Sequence, residues 1–446
     1  MAKKITEFKI LLVVLALSVF VRSFLLHPVY SDEAIYFNAG RYILLGKTIY
    51  KDYFLSHPPL QIYFYSVLFK VFGANFFVGK ALCLLLSTAC SLLIFLIARE
   101  IFDNRVALVS AVVFLFTPSF IIFSLMGNGM WETMVLVLIS FYMMLKNRLQ
   151  ASSFIFSAAL FTRYLSIVYL PFFLFYIYFK GKRVSKFLVP FIIFSSIFLI
   201  FLIFAFGSEY INQTVIYHFY KPKGTPDFSQ YLSIGFFTLF LSIIAIFLSF
   251  IKKDRMLMFF AAAPLLADMI ILFFVRPVFY HYFLISVPFY CISLGKILVA
   301  YKYKTVKIAV VVILLLSIFS NFQTIDFYLN PKYSDKFYHI SDFVQKSVLK
   351  NETIFGEPVI TNFASFTTKI EICGDYLDSY LQHISFEGDD AIISRLEKNP
   401  PKIFIDMVLD NRSYYLSNSN FMRFISNYTL IEKIDGIPQY VVYYRK

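Results

Sequence analysis

The sequence predicts an α-helical polytopic membrane protein of about eleven spans, followed by a C-terminal soluble α/β domain. Three observations predict it. The chain is 59% hydrophobic and 15% charged, where soluble domains carry about 25% charged residues. Apolar runs of near-spanning length recur from the N-terminus to residue 322. Charge is also divided unevenly: residues 1–322 hold 28 Lys/Arg and 11 Asp/Glu, a net +17, whereas residues 323–446 hold 13 and 16, a net −3, which together give the chain's +14. The basic excess sits in short loops between apolar runs. That is the pattern of cytoplasmic loops, so it argues for a membrane and against a nucleic-acid partner.

The elements follow in order. Lys3, Lys4 and Lys9 precede an apolar stretch, Ile10 to Leu26. It has the look of a signal peptide, but its length and the lack of a following small-residue cleavage site predict a retained first span. Further spans are expected at 76–98, 106–125, 133–146, 152–163, 165–179, 187–206, 232–251, 256–275, 281–299 and 305–322. The pair over 152–179 is short for a bilayer core that needs about 20 residues, and one bent helix is the alternative. Arg99 and Arg105, Lys146 and Arg148, Lys180 to Lys186, Lys252 to Arg255 and Lys302 to Lys307 all fall on the N-terminal side of the membrane, which the positive-inside rule makes cytoplasmic. An odd number of spans then places the tail outside. Sequons at Asn212, Asn351, Asn411 and Asn427 all fall in segments assigned to the outside.

The expected division is a transmembrane domain, 1–324, with a large first external loop, 27–75, and an extracytoplasmic α/β domain, 325–446. In the tail, Asp335–Leu349 reads as an amphipathic helix. Thr353–Phe355, Val359–Asn362 and Lys402–Met407 read as strands, and Thr429–Ile434 with Gln439–Tyr444 as a hairpin around Asp435-Gly436. Cys83, Cys90 and Cys291 lie in apolar runs and Cys373 in the tail; neither a metal-ligand spacing nor a disulfide framework follows from them.

Membrane proteins ration charge, so each acid of residues 1–322 can be assigned. Glu7, Glu100, Asp103 and Asp254 lie at cytoplasmic ends, where pairing with nearby Lys/Arg is expected. Asp268 lies inside a span, either as a functional charge or as a partner within the bundle. Asp32, Glu33, Asp52, Glu132, Glu209 and Asp227 face outside. The first external loop carries the most information. It runs from Tyr30-Ser31-Asp32-Glu33 to Ser56-His57-Pro58-Pro59-Leu60, then through a Tyr- and Phe-rich run, Gln61 to Phe72, too short to span and suited to the interface plane. Either Asp32 and Glu33 cap a short helix beginning near Ala34, or they do acid–base work; the residues leave both open.

Arg22, the pair Asp32-Glu33 with Tyr36, and His57-Pro58-Pro59-Leu60 resemble the first loop of the membrane glycosyltransferases with the GT-C fold. The protein O-mannosyltransferases and lipid A aminoarabinose transferases are the most similar groups. Phe72-Gly73 before the second span, Asn128 to Glu132, Tyr280-His281-Tyr282 with Pro288, and a terminal α/β domain extend the resemblance. The specific motifs occupy about fifty residues, and the architecture nearly the whole chain.

The resemblance implies an inverting transfer of a sugar from a polyprenyl (dolichyl-type) phosphate to an acceptor on the outer face. It implies Asp32 as general base, with Glu33 orienting Asp32 or a divalent ion, and His57 at the donor phosphate. Arg163, Arg276, His281, Lys47 and Lys51 are further candidates for the phosphate, and Glu132, Tyr36 and Tyr282 for the sugar or acceptor. No metal is expected to be required, although Asp32, Glu33 and Glu132 supply oxygen ligands of the kind Mg²⁺ or Mn²⁺ takes. The loop 207–231, with His218, Tyr220, Lys221 and Lys223, is a candidate cover for the site. The acceptor is left open among protein, lipid and glycan. The rival reading is a polyprenyl-lipid or glycan transporter or flippase. Such proteins often show paired halves and midplane charge, whereas here the acids cluster at one face.

Overall fold

In the computed structural model, residues 2–220, 228–275, 278–409, 412–434 and 439–445 are described. Helix α1 (Ala2–Ser23) leads into the first loop, which holds α2 (Glu33–Leu44) and α3 (Leu60–Phe72). Helix α3 covers the expected run Gln61 to Phe72, and α2 begins where one of the two readings placed a short helix. Gly73 at φ +84° ends α3, and Asn75 starts α4 (Phe76–Ile101) by accepting the amide of Phe77 at 2.8 Å. Asp103 caps α5 (Asn104–Leu115) through the amides of Arg105 and Val106. Thr117 and Pro118 open α6 (Pro118–Phe123), and α7 (Met130–Leu145) begins after Gly129. Next come α8 (Leu149–Thr162), a 3₁₀ segment Tyr164–Tyr169, α9 (Leu170–Phe179), α10 (Ser185–Phe206), α11 (Ser208–Ile211), α12 (Tyr217–Tyr220) and α13 (Phe228–Lys252). The bundle closes with α14 (Arg255–Phe274), a 3₁₀ segment Tyr280–Ser286, α15 (Val287–Ala300), α16 (Lys304–Ser320) and α17 (Phe322–Leu329).

Among the described residues, four stretches are long and apolar enough to cross a membrane: α4, α10, α14 and Tyr280–Ala300. A fifth qualifies if α16 and α17, bent by 57°, count together. Several of the eleven expected spans are therefore shorter or interrupted. The run 106–125 is cut at Pro118, whose ring cannot continue a helix across Thr117. The run 152–179 is two helices, because Arg163 is extended (φ −148°, ψ 124°) and a 3₁₀ stretch follows it.

Three of the four acids at the expected cytoplasmic ends, Glu100, Asp103 and Asp254, are used locally. Glu100 pairs with Lys146 at 2.5 Å, and Asp254 caps α14 and lies 4.0 Å from Lys296. Inside the bundle, Asp268 accepts the hydroxyl of Tyr290 at 2.9 Å, so it has a partner there.

The C-terminal region is mixed α/β. Helix α18 (Asp335–Ser347) precedes β1 (Thr353–Gly356), α19 (Pro358–Thr368) and β2 (Glu371–Ile372). Then come α20 (Leu381–Glu387), α21 (Asp389–Lys398), β3 (Ile403–Leu409), β4 (Arg412–Ser413), α22 (Ser419–Ile425), β5 (Thr429–Ile434) and β6 (Gln439–Tyr444). The sheet runs β2-β1-β3-β6-β5, with β4 on β3; β1 is parallel to both neighbours, and β3, β6 and β5 are antiparallel. The hairpin pairing is as expected, while its turn, Asp435-Gly436, lies outside the described residues.

Val359–Asn362, expected as a strand, is instead the first half of α19. The Glu357 carboxylate accepts the Ile360 amide at 2.9 Å and Pro358 sits at the first helical position. That start outweighs the β-branched residues, because Val359, Ile360 and Phe363 all bury their side chains.

This region shares a core with the first loop. Phe37 of α2 lies 6.3 Å from Phe366 of α19, and Phe76 lies 5.1 Å from Phe363, ring to ring. A buried polar seam runs alongside. Asn38 donates to Asn362 at 3.1 Å and to Ser365 at 3.2 Å, and Arg41 donates to the carbonyls of Ser365 and Lys369.

Candidate active site at the mouth of the first loop

The loop leaving α1 is pinned at His27, whose ring meets the carbonyl of Leu329 at 3.1 Å. Arg22, at the end of α1, donates to Ser87 at 2.8 Å and Thr88 at 2.6 Å and lies over the Phe120 ring; it belongs to the packed face of the bundle. Beyond it, the two acids part company. Glu33 is fully buried, with Lys80 Nζ 2.9 Å from both its oxygens and the amides of Val29 and Gly127 each at 3.2 Å. It was expected to orient Asp32 or a divalent ion, and it is instead locked into an ion pair with α4. Asp32 occupies the N-cap position of α2, yet its side chain makes no capping hydrogen bond. It turns away and accepts the Tyr380 hydroxyl at 2.7 Å, and it stays partly exposed. Of the two readings left open by the sequence, the capping bond is not made.

The break after α8 brings Arg163 to the same place. Its side chain is 5% exposed. It donates through Nη2 to the carbonyl of Asn128 and lies 5.0 Å from the centre of the Tyr36 ring. Asp32, Tyr36 and Tyr282 are its electrostatic neighbours. Among the described residues it has no ion pair, and its Nε has no hydrogen-bond partner. A buried guanidinium in this condition suits an anionic ligand that brings its own acceptor oxygens. Gly129, at φ +79°, makes room for it: a Cβ there would stand 2.7 Å from Arg163 Nε and 2.2 Å from Gln61 Oε1.

The other sequence-selected residues divide clearly. His57 is half-buried, its ring 5.9 Å from Tyr36 and 5.8 Å from His218. His218 in turn meets the Ser56 carbonyl at 2.7 Å. His281 stacks on Phe279 and, like Tyr282, has Arg163 as an electrostatic neighbour. Asp32, Tyr36, His57, Arg163, His281 and Tyr282 thus lie close to one another.

Glu132 is buried nearby, with Tyr65 and Arg163 as its side-chain neighbours. Among the described residues no group of three or more metal-ligating side chains is assembled. Lys47 and Lys51, selected for phosphate, are engaged elsewhere. Lys47 pairs with Asp375 and, at 3.7 Å, Glu371; Lys51 donates to the Ala205 carbonyl at 3.0 Å. Arg276, Lys221 and Lys223 lie outside the described residues.

Sequence reasoning missed three groups. Lys80 is a lone lysine near the start of an apolar span, a visible signal. Tyr380 and the Tyr30–Glu357 pair, with its hydroxyl-to-carboxylate contact of 3.1 Å, depend on contacts across more than 300 positions and leave no local mark. Burial pushes the Glu357 carboxyl up to about 7, and the nearby Asp32 charge adds to the effect.

Residues 56–207 match the family described as dolichyl-phosphate-mannose-protein mannosyltransferase. No curated protein matches the chain. Among solved structures, the fold is similar to ArnT from Cupriavidus metallidurans in its apo state, with a TM-score of 0.67, 13% identity, and coverage of 98% of each chain. ArnT bound to undecaprenyl phosphate matches at 0.66, with 12% identity, covering 98% of this chain and 97% of that one. The Archaeoglobus fulgidus oligosaccharyltransferase AglB, in complex with an inhibitory peptide and a dolichol-phosphate, matches at 0.55, with 12% identity, covering 100% of this chain and 74% of that one.

Proposed function

The chain carries the fold of ArnT along nearly its whole length and, over residues 56–207, the sequence of the polyprenyl-phosphate-sugar-dependent mannosyltransferase family, and from that premise we propose that it is an inverting glycosyltransferase acting on the extracytoplasmic face. Asp32 takes the proton of the acceptor hydroxyl as its oxygen bonds to C1 of the sugar. The bond from C1 to the phosphate oxygen breaks in the same displacement, and the polyprenyl phosphate leaves with the added negative charge. Arg163, with its free Nε–H, meets that charge. Tyr36, His57, His281 and Tyr282 line the donor side. Glu33 holds the start of α2 against α4 and takes no part in proton transfer.

The observation that carries this reading is a carboxylate that makes no capping bond, near a buried arginine that forms no ion pair among the described residues. The basic loops 99–105, 180–186 and 302–307 support the orientation, with the N-terminus and those loops cytoplasmic and residues 325–446 as an external domain.

The test uses purified protein with a panel of polyprenyl-phosphate sugars and the membrane fraction as acceptor. Asp32→Asn is expected to lower turnover by about 10²- to 10⁴-fold with an unchanged melting temperature. Wild-type turnover in that variant removes Asp32 as the base.

A further inference from the structure

We propose that the C-terminal region completes the catalytic site, and that Tyr380 is the positioning residue which fixes the carboxylate of Asp32. The inference rests on the function proposed above and adds a component to it. The Tyr380 hydroxyl donates to Asp32 Oδ1 at 2.7 Å, across 348 positions of sequence. Among the described residues Oδ2 carries no hydrogen bond. The bond therefore selects one oxygen as the anchor and leaves the other to receive the acceptor proton. Without it, Asp32 has no capping bond to hold its rotamer.

A donor is useful for positioning only if it is itself fixed, and the segment carrying Tyr380 is fixed at three points. Ser379 donates from its hydroxyl to the Gly356 carbonyl at 2.7 Å. The Tyr415 hydroxyl reaches the carbonyls of both Gly356 (2.8 Å) and Ser379 (2.7 Å). Asn362 donates to the Leu377 carbonyl at 2.6 Å. Gly356 itself is held against β3: at φ +153° a Cβ would stand 2.1 Å from the Ile405 carbonyl oxygen, so no larger residue fits.

The same Asn362 also accepts from Asn38, six residues after Asp32 on α2. One asparagine therefore ties the helix that carries the base to the segment that carries its hydrogen-bond donor. Both ends of the Asp32–Tyr380 contact are referenced to a single buried point, so neither can drift without breaking the seam. Placement errors of about 1 Å cost on the order of 10²-fold in rate, which is the scale such an arrangement protects.

Full-length protein tests this with Tyr380→Phe, which removes one oxygen and keeps the ring. Expected is a fall in kcat of about ten- to a hundredfold, with KM for the polyprenyl-phosphate sugar changed less than about twofold, since the donor side is untouched. A melting-temperature cycle with Asp32→Ala reads the bond without any turnover: Tyr380→Phe is expected to lower the melting temperature when Asp32 is present and to leave it unchanged in Asp32→Ala. Wild-type kcat in Tyr380→Phe, or equal melting shifts in the two backgrounds, overturns the positioning role while leaving Asp32 as base. Wild-type turnover in Asp32→Asn overturns the functional reading itself, and the positioning role with it.

Discussion

Lys80→Met isolates the ion pair beneath the site. Lys80 and Glu33 are both fully buried, with Nζ 2.9 Å from each carboxylate oxygen. Removing the lysine leaves Glu33 either charged in a medium of low dielectric or forced to take up a proton, and either course raises the free energy of the folded state at neutral pH. Breaking one side of such a pair costs about 3–5 kcal/mol. The double variant Lys80→Met/Glu33→Gln has no stranded charge, and its single side-chain carbonyl keeps one of the two amide bonds, from Val29 or from Gly127, which Glu33 accepts on different oxygens. It should recover all but about 1–2 kcal/mol of the loss. Thermal unfolding of the purified protein, followed by intrinsic fluorescence with chemical-denaturant cross-checks, measures both. A single variant within about 1 kcal/mol of wild type, or a double variant no better than the single, would refute the argument that the pair is held by mutual charge compensation.

Glu357→Gln tests the buried acid beside Asp32. The folded-state value is raised from 4.5 to about 7, so the favourable contribution of its protonated form is complete below about pH 4.5 and is lost as pH rises through 7. Relative to wild type, the Gln variant should gain up to about 3 kcal/mol by pH 8 and nothing at pH 4. A difference in melting temperature that is the same at both pH values refutes it. Gly129→Ala puts a methyl group into the space used by Arg163 and Gln61 at a positive φ. It should destabilise by at least about 1 kcal/mol and raise KM for the lipid-linked sugar; wild-type values for both would show that Arg163 has room to move.

What the sequence revealed and what it hid follow the range of the interactions. The helices 33–44 and 60–72 were legible because turn residues bound them and aromatic periodicity fills them. The hairpin 429–444 was legible from two strand-like runs flanking Asp435-Gly436. The interruption at Arg163 was half-visible, as two apolar runs each too short to span. Residues 359–362 misled because β-branched residues imitate a strand locally, while the cap that decides the matter is a carboxylate two residues upstream. Lys47 and Lys51 looked available because their partners, Asp375 and the Ala205 carbonyl, come from distant parts of the chain. Asp32 was found through its motif; the tyrosine that holds it lies 348 positions away, beyond any pattern.

The seam between Asn38, Arg41 and α19 bears on how the molecule is made. Its two sides are separated by 324 residues of synthesis. Until α19 is made, α2 packs on α3 and α4, and its asparagine and arginine lack these partners. A ribosome stalled anywhere before Pro358 leaves that seam unmade, so it closes only in the last fifth of the message.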